Sequence, residues 1–130
     1  MSIVEAKDHE SAIANYNKAI KLYPEYVDAW VRKGVTLMSI KRYEDALPIL
    51  NKAVKLAPHL FKTVYNRGKL WLLLNHPENA VSDLDKATTL NSQHAQAHQL
   101  FGDALSQAGK DEEAEIQWDK ARKLKKKKDK

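Results

Sequence analysis

A constant step of 34 residues governs this chain. Gly34, Gly68 and Gly102 are separated by it, as are Ala46, Ala80 and Ala114, then Ala53, Ala87 and Ala121, then Leu56, Leu90 and Leu124. Carried backwards from the middle copy, the step lands on Ala12, Tyr16, Lys18, Ala19, Leu22 and Pro24. Small residues held in register inside apolar-periodic halves mark one supersecondary unit stacked on copies of itself, because a unit this short cannot bury its apolar face alone. Ala29 to Pro58 is the clearest copy.

Each copy reads as two helices joined by a turn. From Asp8 to Leu22, Ile13, Tyr16 and Ile20 with the small Ala12 and Ala19 recur at three- and four-residue spacing, one face of an amphipathic helix that Pro24 stops. The next unit carries Trp30, Gly34 and Leu37 on a helix from near Val27, turns around Lys41 and Arg42, and continues as a helix from about Tyr43 to Leu56. Pro48 removes a bond to Glu44 near the first turn, so a mild kink is expected there rather than a break. The third unit, from Phe61 to about Leu90, keeps Gly68, Trp71, Ala80, Leu84 and Ala87, with Pro77 suited to a first helical position. The fourth, from Ala95, keeps Phe101, Gly102, Leu105, Gly109, Ala114, Trp118 and Ala121 before its last helix runs into lysines. Residues 1–7 fall in the second half of a helix whose earlier turns are missing. A segment so short is expected to fray or to borrow contacts from the helix that follows.

The 34-residue step and the series running from Trp30 through Gly34 and Ala46 to Pro58 resemble the tetratricopeptide repeat. The resemblance implies an all-α, right-handed helical-repeat solenoid of helix–turn–helix units. Its expected organisation is a half repeat 1–26, repeats 27–60, 61–94 and 95–124 in a single domain 1–124, and a basic tail 125–130. Trp30 and Trp71 then pack at recurrent positions, Gly34, Gly68 and Gly102 permit close helix crossings, and Ala46, Ala80 and Ala114 sit where the facing helix leaves no room. The chain departs from the family's pattern at Lys33 and Arg67, where leucine is usual, at Val64 in place of tryptophan, and at Ser92 in place of proline.

Chemistry has little to stand on. With no cysteine, disulfides and thiolate metal sites are excluded. No glycine-rich phosphate loop and no nucleophile-elbow context for any serine are present. His94 and His98 have the four-residue spacing of a shared metal face but lack a third ligand, and read as a loop histidine and a substituted packing position. Glu112, Glu113 and Glu115 read as a solvated cluster at a helix start. The chain is therefore expected to be non-enzymatic, with no metal and no cofactor. Its longest apolar run, Leu70 to Leu74, is too short to span a bilayer, and a cytoplasmic location, with a nuclear one second, is expected. The net charge of +5 comes from the end of the chain: residues 120–130 carry +7, and the remainder carries −2. Lysines without interleaved arginine or aromatic residues supply only salt-sensitive attraction, so no specific nucleic acid and no membrane are expected as partners.

What remains is surface. In the family the first helix of every unit lines a concave groove that takes up peptide. The resemblance places Asp28, Val31, Arg32, Val35 and Met38 in that lining, then Lys62, Tyr65, Asn66, Lys69 and Leu72, then Gln96, Gln99, Leu100 and Asp103. The implied function is a non-catalytic protein-interaction or assembly scaffold, whose partner is an extended or helical peptide with apolar anchors and some acidic character. Tyr65 is the expected hot spot, on a face expected to pack against no other helix. The family's clamp for chaperone C-terminal carboxylates is matched only by Asn66, which argues against that subfamily. Ile13, Tyr16 and Ile20, lacking an earlier helix, are expected to leave an apolar patch that a second copy of the chain would cover. The alternative from another class is a nucleic-acid accessory factor acting through the lysine tail.

Overall fold

A computed structural model describes residues 3–128. Among them are seven helices and no strand: α1 (Ile3–Leu22), α2 (Val27–Ser39), α3 (Tyr43–Leu56), α4 (Phe61–Leu73), α5 (Pro77–Leu90), α6 (Ala95–Gln107) and α7 (Asp111–Lys128). One domain is expected from the repeats, whereas the packing gathers into two compact units, Met1–Pro58 and His59–Lys130.

The 34-residue step reappears in the backbone. Lys41, Asn75 and Gly109 occupy the same turn position, and all three adopt a left-handed conformation, with φ of 63°, 62° and 82°. Around each, two bonds close the end of a helix. Arg42, His76 and Lys110 each donate an N–H over 2.8 Å to Leu37, Trp71 and Leu105, while Lys41, Asn75 and Gly109 donate to Met38, Leu72 and Ser106. These satisfy the carbonyls that a helix end leaves without partners and reverse the chain in three residues. The turns between repeats are equally periodic. Tyr23, Ala57 and Asn91 donate to the carbonyls of Ala19, Ala53 and Ala87.

In the first unit, α2 packs against both α1 and α3. Its core holds Ala29, Leu37, Ala46, Leu50 and Ala53. A Cβ at Gly34 would lie 2.6 Å from Leu50 Cδ2, so the missing side chain is what lets α2 and α3 cross closely. In the second unit, α5 packs against α4 and α6, and α6 against α7. Ala80, Leu84, Phe101, Ala104, Leu105 and Ala114 form its core, with Trp71, Leu72, Val81, Leu100 and Trp118 packed around them. The same close approach recurs at Gly68, where a Cβ would meet Leu84 Cγ at 2.8 Å, and at Gly102, whose neighbour is Trp118.

Two expectations about the ends are corrected. Residues 3–7 are the first turns of α1 and not the end of a separate helix. No glycine or proline lies near Lys7 and Asp8 to turn the chain, so helix propagation carries through. Met1 and Ser2 lie outside the described residues. At the other end α7 absorbs Lys125 to Lys128, because lysines in a last turn complement the helix dipole and Lys123 and Arg122 pair with Asp119 one turn before. Asp129 and Lys130 lie outside the described residues. α3 runs unbroken through the exposed Pro48.

Candidate functional site

The first unit holds five of the expected groove residues, Asp28, Val31, Arg32, Val35 and Met38. Val35 is 37% exposed and Met38 is half-buried. Arg32 is exposed, but its Nε donates to Asp28 Oδ2 over 2.6 Å, and that bond with the carboxylate's charge raises the guanidinium pKa further. Val31 is a correction. It is only 5% exposed, because α2 has neighbours on two sides and its buried stripe takes in Ala29, Val31, Gly34 and Leu37. Trp30 is half-buried, with Nε1 donating to the Pro24 carbonyl over 2.8 Å and Lys52 Nζ 6.0 Å from its ring centre.

The second correction concerns Tyr65. It is 8% exposed and belongs to an aromatic cluster, stacked on Phe61 at 4.9 Å between ring centres and meeting His94 edge-on at 5.0 Å. Burial raises its phenol pKa. The turn before α6 supplies the covering ring, a neighbour 29 positions away that helical spacing on α4 does not reveal. Lys69 Nζ lies 5.5 Å from the centre of the Tyr65 ring, and Asn66 Nδ2 donates to the Lys62 carbonyl over 2.7 Å.

His94 and His98 have separate duties. His94 Nδ1 accepts the Ala97 N–H over 3.1 Å as the N-cap of α6. Burial, then the charges of Lys128, His98 and Lys69, lower its pKa, which keeps Nδ1 free to accept. His98 is buried, its Nδ1 2.8 Å from Gln117 Oε1 and its Nε2 2.9 Å from the Ser92 carbonyl. Among the described residues no group of three or more His, Cys, Asp or Glu is placed to hold a metal ion.

Three expected groove residues, Leu72, Leu100 and Asp103, meet in an open cleft of about 380 Å³ in the second unit. They line it with Leu73, Ser106, Gln107 and Trp118. Asp103 is anchored there, since its Oδ1 accepts from Trp118 Nε1 over 3.0 Å and from Gln99 Nε2 over 3.3 Å. Leu73, 45% exposed, stands at the edge. The sequence pattern places Trp118 in register with the core residues Leu50 and Leu84, which hides its contribution to this wall. Only its indole size, against the missing side chain of Gly102, hints that it overflows the core.

A tetratricopeptide-repeat family model matches residues 4–60. Solved structures carry the match across the rest of the chain. MamA from Desulfovibrio magneticus RS-1, residues 41 to the end, has a TM-score of 0.84 at 26% identity, over 98% of this chain and 72% of that one. Residues 4–60 thus resemble the tetratricopeptide repeat, and the fold of the chain is that of these solved structures. A double mutant of MamA RS-1 has a TM-score of 0.86 at 27% identity over 98% of this chain and 71% of that one. A further crystal structure of MamA has 0.86 at 26% over 96% and 75%. No curated protein sequence matches this chain. Its fold class is the all-α helical-repeat solenoid class of these neighbours. Family and fold support a protein–protein interaction scaffold, in a family whose members are in general non-catalytic. Among the described residues no helix is long and apolar enough to cross a membrane.

Proposed function

We propose that this chain is a non-catalytic scaffold that holds a partner polypeptide, and that the cleft beside Trp118 receives an apolar side chain of that partner. The carrying observation is the convergence of Leu72, Leu73, Leu100 and Trp118 around a recess whose single carboxylate, Asp103, already has two donors. An anchored carboxylate can accept a further bond from a partner backbone N–H without moving, while the leucines and the indole supply the area that dominates binding energy. Val35, Arg32 and Met38 in the first unit, and Lys62, Asn66, Lys69 and Gln99 in the second, retain enough exposure to touch a partner. Val31 and Tyr65 are assigned to packing. A peptide library displayed against the chain tests the reading. Enriched sequences should share an apolar anchor and be lost from Leu73→Asp with Ser106→Arg, one change at an exposed and one at a half-buried position. Retention of every enriched peptide by that variant, folded as the parent is, would overturn it.

Self-association is a second reading, favoured by exposed apolar residues on the first unit. α1 buries none of its residues. Ile13, Tyr16 and Ile20 are half-buried, so the exposed apolar surface lies instead at Ile3 and Val4 and at Leu22, Tyr23 and Tyr26. Sedimentation should show association that rises with concentration and falls with Tyr23→Lys. A monomer at all concentrations would end this reading.

A further inference from the structure

A recess of about 610 Å³ in the second unit lies apart from the Trp118 cleft. One wall is the turn into α6, with Asn91, Gln93, His94 and Gln96, and the other is the end of α7, with Leu124, Lys125, Lys127 and Lys128. Among the described residues no Asp or Glu lines it. Basic residues one turn earlier on α7 have a carboxylate partner, because Arg122 and Lys123 share Asp119, but Lys125, Lys127 and Lys128 pair with no carboxylate among the described residues. Like charges three apart on a helix repel, so Lys125 and Lys128 hold an unfavourable interaction that an anion between the walls would reverse. The field has a further source. α6 begins at Ala95, and Ala95 and Gln96 of its first turn line the recess, so the positive end of the helix dipole adjoins it. Lys128 acts electrostatically on His94 across the recess, so the two walls are in electrostatic reach of each other.

We propose that this recess binds side-chain carboxylates of an acidic peptide segment, with Lys125, Lys127 and Lys128 supplying charge and Asn91, Gln93 and Gln96 supplying amide donors. The lining favours a peptide over a nucleic acid. It has no arginine fork to grip phosphate, and the one ring that lines it, that of His94, is already engaged with Phe61 and Tyr65 and is not free to stack on a base. The apolar stem of Leu124 beside the amides suits a mixed side-chain and main-chain ligand. This site does not depend on the Trp118 cleft, from which it shares no lining residue.

Fluorescence anisotropy of a labelled peptide with six glutamates, titrated with the full chain at physiological salt, tests the proposal. Saturable binding is expected, weakened tenfold or more in the Lys125→Gln, Lys127→Gln, Lys128→Gln variant. The variant Lys110→Gln, Lys120→Gln, Lys126→Gln removes the same charge outside the recess and should change the affinity less than twofold. Gln96→Glu, which leaves α7 untouched, should weaken binding at least fivefold and keeps the test valid if the lysine variant loses helix. Equal weakening in the two lysine variants would mean diffuse charge and overturn the site. So would an absence of saturable binding, or tighter binding of a thymidine oligonucleotide carrying the same charge.

Discussion

Arg67 grips Asp83 with two parallel bonds across the α4–α5 crossing, Nε to Oδ2 at 2.7 Å and Nη2 to Oδ1 at 2.8 Å. Asp83 is 5% exposed, so the pair is mostly withdrawn from water. One repeat later the same positions hold Phe101 and Gln117, and one repeat earlier Lys33 and Ile49. The ion pair is thus particular to one repeat. It explains how an arginine stands where the family usually has leucine: the fork reaches a carboxylate that the facing helix supplies in register.

Removing one partner leaves the other charged among apolar neighbours, a larger loss than removing both. Arg67→Ala or Asp83→Ala alone should cost about 3 kcal/mol, whereas Arg67→Leu with Asp83→Ile should stay within about 1 kcal/mol of the parent. Urea unfolding measures this. Single variants as stable as the parent would mean that the pair is fully solvated in solution.

Lys41 adopts a left-handed backbone with φ of 63°, at the position that Gly109 fills in the last repeat. A non-glycine residue there costs about 1–2 kcal/mol, part of which glycine's greater unfolded-state freedom offsets. Lys41→Gly should therefore raise stability by about 0.5–1 kcal/mol, seen as a higher melting temperature. Gly109→Val should lower it.

Tyr65→Ala should destabilise the second unit by about 3 kcal/mol, since it opens a cavity between Phe61 and His94. Tyr65→Phe keeps the rings and should melt within about 1 kcal/mol of the parent. Near-ultraviolet circular dichroism and urea unfolding check both. A fully stable Tyr65→Ala would return this residue to the candidate binding surface.

The folded-state pKa of His94 lies below its ordinary value, chiefly through burial. Such a shift means that the neutral ring's contribution is complete above a pH of about 6.5 and is lost as the pH falls through the folded value. Protonation also removes the acceptor that caps α6. The parent should lose more melting temperature between pH 7 and pH 5 than His94→Asn, which retains an acceptor with no proton to gain. Equal losses would show that His94 does not couple to folding.

The sequence by itself determined the helix pairs, their 34-residue period and the crossing points, because these depend on local periodicity and on side-chain size. Gly34 opposite Leu50 and Gly68 opposite Leu84 are legible as small residues at a fixed interval. Proline and turn residues likewise mark where helices stop. Only the tertiary structure decided which of the first-helix residues remain exposed. Val31 is closed because α2 has neighbours on two sides, and Tyr65 because His94 arrives from a turn 29 residues later. Burial is a property of what lies opposite a side chain, and a periodic pattern on one helix says which face a residue shares without saying what covers it. For the same reason the meeting of Leu72 with Trp118, and of the α7 lysines with the start of α6, became visible only when distant segments were brought together.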